Sequence, residues 1–520
     1  MTWEPDLDEL RRRTELAARM GGSERVERQH ASGRLDVRQR VARLFDDDSF
    51  HETGALAGKG SYDDDGELTD FLPANMLVGQ GRIEGRRAVL QGDDFTVRGG
   101  AADAAIWQKM VYAERMAHDL RLPLVRLVDG TGGGGSVKSL EDMGFTYVPF
   151  VPGFELTAAN LSRVPVVAAA LGPVAGLGAA RVVASHFSVI VKGTAQLFVA
   201  GPPVVAAAMG ESPDKEELGG ARAQAKAGAV DNIAADEDDA LDQIKRFLSY
   251  LPTSVWEAAP IQAATDPADR REDELLSIVP RERRKPYDTR RIVELVFDSG
   301  SVFEMGRFYG RSLIVGLARL GGRPVGVMAS DPKHYGGGLT ADASEKATRF
   351  VDLCDQFRLP LVNMVDQPGF VIGTESERRG TIRHGTRAMV AVYQASVPTV
   401  AVILRKVFGV AGAAHGNHSQ LNLRYAWPSG DWGSLPIEGG IEAAYRRDLE
   451  AADDPVALRA EIEERLNAVR SPFRTAEKFG IEEIIDPRDT RRLLCDWAER
   501  AHELVTQELG QGPKARGIRP

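Results

Sequence analysis

Residues 121–132 read RLPLVRLVDGTG and residues 358–369 read RLPLVNMVDQPG, with eight of the twelve positions identical. In each, a proline precedes a short apolar run rich in β-branched residues, which closes on an aspartate and ends in glycine. Continuous apolar runs of this length mark strands covered on both faces of a sheet. Pro123 and Pro360 stop whatever helix comes before, because the ring forbids continued helical hydrogen bonding.

Working outward, the correspondence continues at the same offset of 237 residues. GRIEGRRAV from Gly81 matches ARLGGRPVG from Ala318, Asp94 falls on Asp331, and Gly99-Gly100 falls on Gly336-Gly337. Downstream, VPVV at Val164 matches VPTV at Val397 and Gly176 matches Gly409, at an offset of 233. Upstream, LFDDDSFHETG from Leu44 matches VFDSGSVFEMG from Val296 at an offset of 252, so the first half carries an insertion of 15 residues (252 − 237). The polar, acidic stretch SYDDDGELTDFLPANM from Ser61 is its candidate. Apolar runs alternate with helix-like segments such as AADAAIWQKMVYAERMAHDL, which makes each half α/β. The chain is therefore expected to carry one α/β fold twice. The first copy spans residues 1–260 and the second 286–520, joined by a linker over 261–285 that is rich in Pro, Asp and Arg.

The whole chain has 520 residues, 43% hydrophobic and 27% charged, with a formal net charge of −10. That is enough apolar material for two cores. The acidic balance without a basic stripe argues against a nucleic-acid partner. The longest apolar runs, such as Val164 to Leu171, are far too short to span a bilayer, and the charged N-terminus lacks a signal-peptide core. No membrane association and a cytoplasmic location are expected. Two cysteines, Cys354 and Cys495, cannot build a disulfide framework or a four-cysteine metal site, and each reads as a small buried residue.

Open α/β sheets bind ligands at the carboxyl ends of their strands, and glycine crowds those ends here. The run Gly130-Thr131-Gly132-Gly133-Gly134-Gly135 is not a nucleotide P-loop, because Lys138 stands three residues beyond the last glycine. A backbone that lets a ligand approach closely explains it better. Gly176-Leu177 and Val410-Ala411, after Gly409, sit in equivalent strand-to-helix turns, where unsatisfied N–H groups can hold an oxyanion. His415 and His418 lack supporting ligands at metal-binding spacing, so no metal is expected. No GxSxG elbow is present, and no nucleophile stands out.

Beyond these patterns, the chain resembles the β subunits of biotin-dependent acyl-CoA carboxylases, the propionyl-CoA, acetyl-CoA and methylcrotonyl-CoA group. The resemblance runs over essentially the whole sequence. It is carried by GGSERVERQHASGRLDVRQRVARLFDDDSF, QGDDFTVRGG, FVAGPPVV, EELGGAR, KATRFVDLCDQFRLPLVNMVDQPGF, GTIRHG, LRKVFGVAGAAH and EIIDPRDTRRLL. It implies two tandem crotonase-like domains assembled as a homo-hexamer. The acyl-CoA would bind the first half of one subunit, and biotin, carried on a partner chain, the second half of a neighbour.

By position, Gly176 and Leu177 would hold the thioester oxygen as an enolate, and Gly409, Val410 and Ala411 the biotin ureido oxygen. Gly100, Gly132, Gly133, Gly134, Gly369 and Phe370 would contact substrate, and Ala413 would tune acyl length. Biotin then supplies the base, which accounts for the missing nucleophile. The family commonly has glycine where Leu177 and Val410 stand, and an Arg where this chain has Gly135-Ser136-Val137. With no biotinylation sequence or ATP-grasp region in the chain, a biotin carboxylase and a biotin carboxyl carrier are the expected partners. The alternatives are a biotin-dependent decarboxylase running the transfer in reverse and a non-catalytic scaffold paralogue.

Overall fold

The computed structural model describes residues 2–101, 106–130, 140–141, 143–264, 266–421, 423–510, 512 and 519. The chain forms two compact units, Met1–Glu257 and Ala258–Pro520.

In the first unit the strands are β1 (His51–Glu52), β2 (Gly58–Tyr62), β3 (Leu68–Pro73), β4 (Met76–Ile83), β5 (Arg86–Asp93), β6 (Leu124–Val128), β7 (Val166–Ala170), β8 (Pro173–Ala175), β9 (Phe187–Val191), β10 (Gln196–Phe198) and β11 (Asn232–Ala234). The helices used below are α1 (Val37–Leu44), α2 (Trp107–Leu120), α3 (Leu177–Val183) and α4 (Glu237–Tyr250). Seven strands make one sheet in the order β1-β4-β5-β6-β7-β9-β11. Its first three strands pair antiparallel and the rest parallel. Every residue of β6, β7 and β9 is buried, as strands covered on both faces require.

The second unit repeats the plan. Its strands are β12 (Phe303–Met305), β13 (Leu313–Leu320), β14 (Arg323–Ser330), β15 (Leu361–Gln367), β16 (Thr399–Phe408), β17 (Leu423–Ala426), β18 (Asp431–Gly433) and β19 (Glu483–Ile484), and its helices include α5 (Thr289–Val296), α6 (Ala341–Gln356), α7 (Thr381–Gln394), α8 (Gly409–Ala413) and α9 (Thr490–Gln507). The sheet order is β12-β13-β14-β15-β16-β17-β19, with β18 also on β16. The registers coincide at the offsets read from the sequence: Gln91 lies opposite Arg126 and Arg126 opposite Ala168, as Met328 lies opposite Asn363 and Asn363 opposite Ala401.

Local chemistry repeats as well. Pro123, Pro165, Pro360 and Pro398 stand at strand entrances, where a missing N–H breaks no ladder bond. Their carbonyls accept from Val89, Leu124, Gly326 and Leu361 at 2.8–3.0 Å. The β4–β5 and β13–β14 hairpins turn through pairs with φ of 49° and 79° (Glu84-Gly85) and 55° and 79° (Gly321-Gly322), as type I′ turns require. Asp46 accepts from both turn N–H groups of the first, and Asp298 from both of the second. The inserted residues of the first half form the β2–β3 hairpin, a separate two-stranded sheet. Residues 306–312 make the same connection in the second half.

The stretch expected as a linker, 261–285, packs on the second unit. Gln262 N–H donates to Gly322 O at 3.0 Å, and Leu275 is buried with Tyr287, Ile292 and Trp427. Cys354 and Cys495 are buried and unpaired. Among the described residues no helix is long and apolar enough to cross a membrane.

Candidate active site

In the first unit β8 runs parallel to β10 and then turns at Gly176 into α3. Gly176 has φ 57° and ψ −120°, and its N–H donates to Phe198 O at 3.3 Å. In the second unit one ten-residue strand does both jobs: β16 pairs with β17 through Ile403 and with β18 from Lys406, then turns at Gly409, φ 62°, into α8. A residue with a Cβ would be strained by about 1–2 kcal/mol at such a φ, so both turns require glycine. The N–H groups of Leu177 and Gly178, and of Val410 and Ala411, lie in first helical turns and have no acceptor within their own helices. The two side chains that replace glycine do not close the turns. Leu177 is half-buried and Val410 is 57% exposed, whereas Ala411 is buried.

Each unit also buries a carboxylate at the end of its central strand. Asp129 accepts from Arg40 of α1 at 2.7 Å and Arg34 at 3.0 Å, while Arg40 also holds Glu237 of α4 at 2.6 Å. Asp366 accepts from Arg405 of β16 at 2.9 Å and from the Lys406 N–H at 3.0 Å. Asp129, Asp366 and Arg40 are fully buried, and Arg405 nearly so. Gly100 packs its backbone on this strand end, where a Cβ would come 2.6 Å from Asp129 O; at Gly337 the distance to Asp366 O is 2.3 Å. Gly369 N–H donates to the Gln367 side chain at 3.1 Å, and Leu339 N–H donates to Gly369 O at 3.0 Å. The Phe370 ring lies on Gly385 of α7, where no Cβ would fit.

Beneath the α8 turn the second unit holds a largely apolar cavity of about 540 Å³, its mouth included. Met328, Asn363, Phe370, Met389, Ala411 and Ala414 are in its wall. His415 lines it too. Its Nδ1 is 2.5 Å from Gly412 O, its Nε2 is buried without a protein partner, and burial holds the ring below the ordinary histidine range. Ala413 is exposed and is not in the wall.

The equivalent space in the first unit is filled with charge. Where the second unit has Met328, Ser330, Val351, Asn363 and Ala414, the first has Gln91, Asp93, Glu114, Arg126 and Arg181. Arg181 donates to Gln91 Oε1 at 2.8 Å and Asp93 Oδ1 at 3.0 Å; Arg126 donates to Glu114 at 2.7 Å and caps α3 through Ala184 O at 2.7 Å. Burial pushes the Asp93 carboxyl up, against the pull of Arg181. Asn363 keeps the capping role alone, donating to His415 O at 2.9 Å.

The predicted turn residues thus fall at matching places in the two units. Gly132, Gly133 and Gly134 lie outside the described residues. Among the described residues no His/Cys/Asp/Glu cluster could hold a metal ion, and His418 Nε2 meets Ala413 O at 3.3 Å. The cavity, its charged counterpart and the arginines on Asp129 and Asp366 were not read from the sequence. The signal was available: superposing the two halves puts Arg181 on Ala414 and Arg126 on Asn363.

The family description "Carboxyl transferase domain" matches residues 28–507. The chain belongs to that family. This carboxyltransferase is 34% identical to the propionyl-CoA carboxylase carboxyltransferase subunit of Haloferax mediterranei, over 95% of the chain and 96% of that relative. It is 33% identical to the methylmalonyl-CoA decarboxylase subunit alpha of Veillonella parvula, covering 96% of each. Among solved structures it matches transcarboxylase 12S, a hexamer assembly with methylmalonyl-coenzyme A and methylmalonic acid bound. That match has a TM-score of 0.86 at 32% identity and covers 100% of the chain and 98% of the other. As a carboxyltransferase the chain is an enzyme, and its two α/β units match those of its solved relatives.

Proposed function

We propose that this carboxyltransferase is the β subunit of a biotin-dependent acyl-CoA carboxylase. It would move a carboxyl group from biotin, carried on a separate biotin carboxylase or carrier chain, to the α-carbon of an acyl-CoA. One observation carries the reading: two equivalent glycine turns, each presenting first-turn N–H groups, in a chain with no other candidate catalytic group. When bound, carboxybiotin supplies both the CO2 and the basic ureido nitrogen.

The chain's own task is to place two oxygens. The Gly176-Leu177 turn holds the thioester oxygen as negative charge builds on it, and the turn from Gly409 through Val410 to Ala411 holds the ureido oxygen. Fixed N–H donors of this kind are worth about 3–4 kcal/mol each in hydrolases. Phe370, stacked on Gly385, and the wall of the second-unit cavity fit a ring with an apolar face. Gly100, Gly132, Gly133, Gly134 and Gly369 keep the strand ends low for the coenzyme A thioester, and Ala413 borders the acyl group. The enzyme would work in the cytoplasm as a homo-hexamer, like the solved transcarboxylase 12S.

Fixation of labelled bicarbonate by the purified chain with its biotin-carrying partner, over a panel from acetyl-CoA to longer and branched acyl-CoAs, tests the reading. Acyl-CoA-dependent incorporation is expected. Transfer only from a carboxylated acyl-CoA to biotin would make the chain a decarboxylase subunit. No transfer in either direction would make it a scaffold.

A further inference from the structure

Resting on that reading, we infer that the cavity under α8 receives the aliphatic part of the acyl group beyond the α-carbon, and that Ala414 sets how much of it fits. The chemistry confines the tail. For carbon–carbon bond formation the α-carbon has to come within about 3–3.5 Å of its carboxyl donor. A donor held at the Val410-Ala411 turn therefore brings whatever extends beyond the α-carbon beside that same turn.

The two units differ in what they offer there. Next to the Gly176 turn the space is occupied by Arg181 and Arg126 with their partners Gln91, Asp93 and Glu114, so an apolar tail would have to displace buried ion pairs. Next to the Gly409 turn the same five positions are Met328, Ser330, Val351, Asn363 and Ala414, and the space is open. Shortening the arginine position to Ala414 removes a guanidinium and its stem, leaving a wall of Leu313, Val365, Met389 and other apolar groups. His415 adds one buried hydrogen-bonding atom, Nε2, that the protein leaves unpartnered. The position that controls tail length is therefore Ala414, inside the wall, in addition to the exposed Ala413.

The test is equilibrium binding of acetyl-CoA and hexanoyl-CoA to the full chain by calorimetry, for the wild type, Ala414→Met and Met389→Ala. Each methylene taken into the cavity should tighten binding about fourfold, so hexanoyl-CoA should bind the wild type at least tenfold more tightly than acetyl-CoA. Ala414→Met, which refills the space, should cut that ratio at least fivefold, and Met389→Ala, which enlarges it, should not. The hexanoyl-to-acetyl ratio of kcat/KM in bicarbonate fixation should follow the binding ratio. Equal affinities for the two thioesters in the wild type, or a ratio unmoved by Ala414→Met, would overturn the inference. Tail-dependent binding without any carboxyl transfer would instead remove the proposed function and leave the cavity's role standing.

Discussion

Replacing Gly409 by alanine isolates what the second turn does. A methyl group there would meet only Ser434 O, at 3.5 Å, an ordinary contact. The cost is therefore conformational: φ of 62° strains an L-residue by about 1–2 kcal/mol. For a unit of this size that corresponds to a fall in Tm of roughly 2–8 °C. If the backbone relaxes toward negative φ, the N–H groups of Val410 and Ala411 swing off their target, and losing one such donor lowers kcat by about 10²–10³. Gly439→Ala is the control. Gly439 lies in a helix over Ile437–Ala444 with open space at its Cβ, so alanine there should leave Tm level or raise it. Differential scanning fluorimetry and steady-state carboxyl transfer read the two effects separately. Gly409→Ala with turnover within about twofold of wild type, despite the expected loss in Tm, would remove the second turn from the chemistry.

Arg40→Ala should destabilise the first unit by about 3–5 kcal/mol, because it leaves the Asp129 and Glu237 carboxylates buried together without their countercharge; denaturant unfolding checks this. Asp366→Asn should cost a similar amount in the second unit, and adding Arg405→Ala to it should cost much less than the sum, since the second change removes the orphaned guanidinium. Burial holds His415 and His502 below the ordinary histidine range. Both stay neutral in the folded chain while the unfolded chain takes up protons near pH 6.5, so the unfolded state binds more protons and stability rises with pH across that window. Tm should therefore fall as pH drops through about 6.5, and fall less in His502→Gln, whose parent ring sits 2.8 Å from Pro324 O.

The duplication and the α/β class were legible because they rest on near-neighbour patterns: proline, apolar run, aspartate, glycine. The β2–β3 hairpin was legible as a length difference between the halves. The order of strands follows from those patterns only through the rule that parallel neighbours need helical crossovers. The ion pairs were not legible. Arg40 lies 89 residues from Asp129, and Arg405 lies 39 residues from Asp366, so neither pairing has a local signature. The cavity left no local trace either, since alanine at position 414 reads as ordinary helix. It becomes visible as a contrast, when the position is set beside Arg181. The packing of 261–285 escaped notice because its bonds to the second unit are made largely by backbone, as at Gln262, and by the single apolar side chain of Leu275.

The strand-end aspartates record an order of events. Asp129 and Asp366 are the same position in the two copies, yet the countercharge comes from a helix ahead of the sheet in one and from the adjacent strand in the other. The position matching Arg405 in the first unit is Gly172, where a Cβ would sit 2.0 Å from Asp129 Oδ1, and the position matching Arg40 in the second is Ile292. Neither copy can accept the other's solution without rebuilding its surroundings. The aspartate is thus the inheritance the copies share, and at least one of its arginine partners was acquired after they parted.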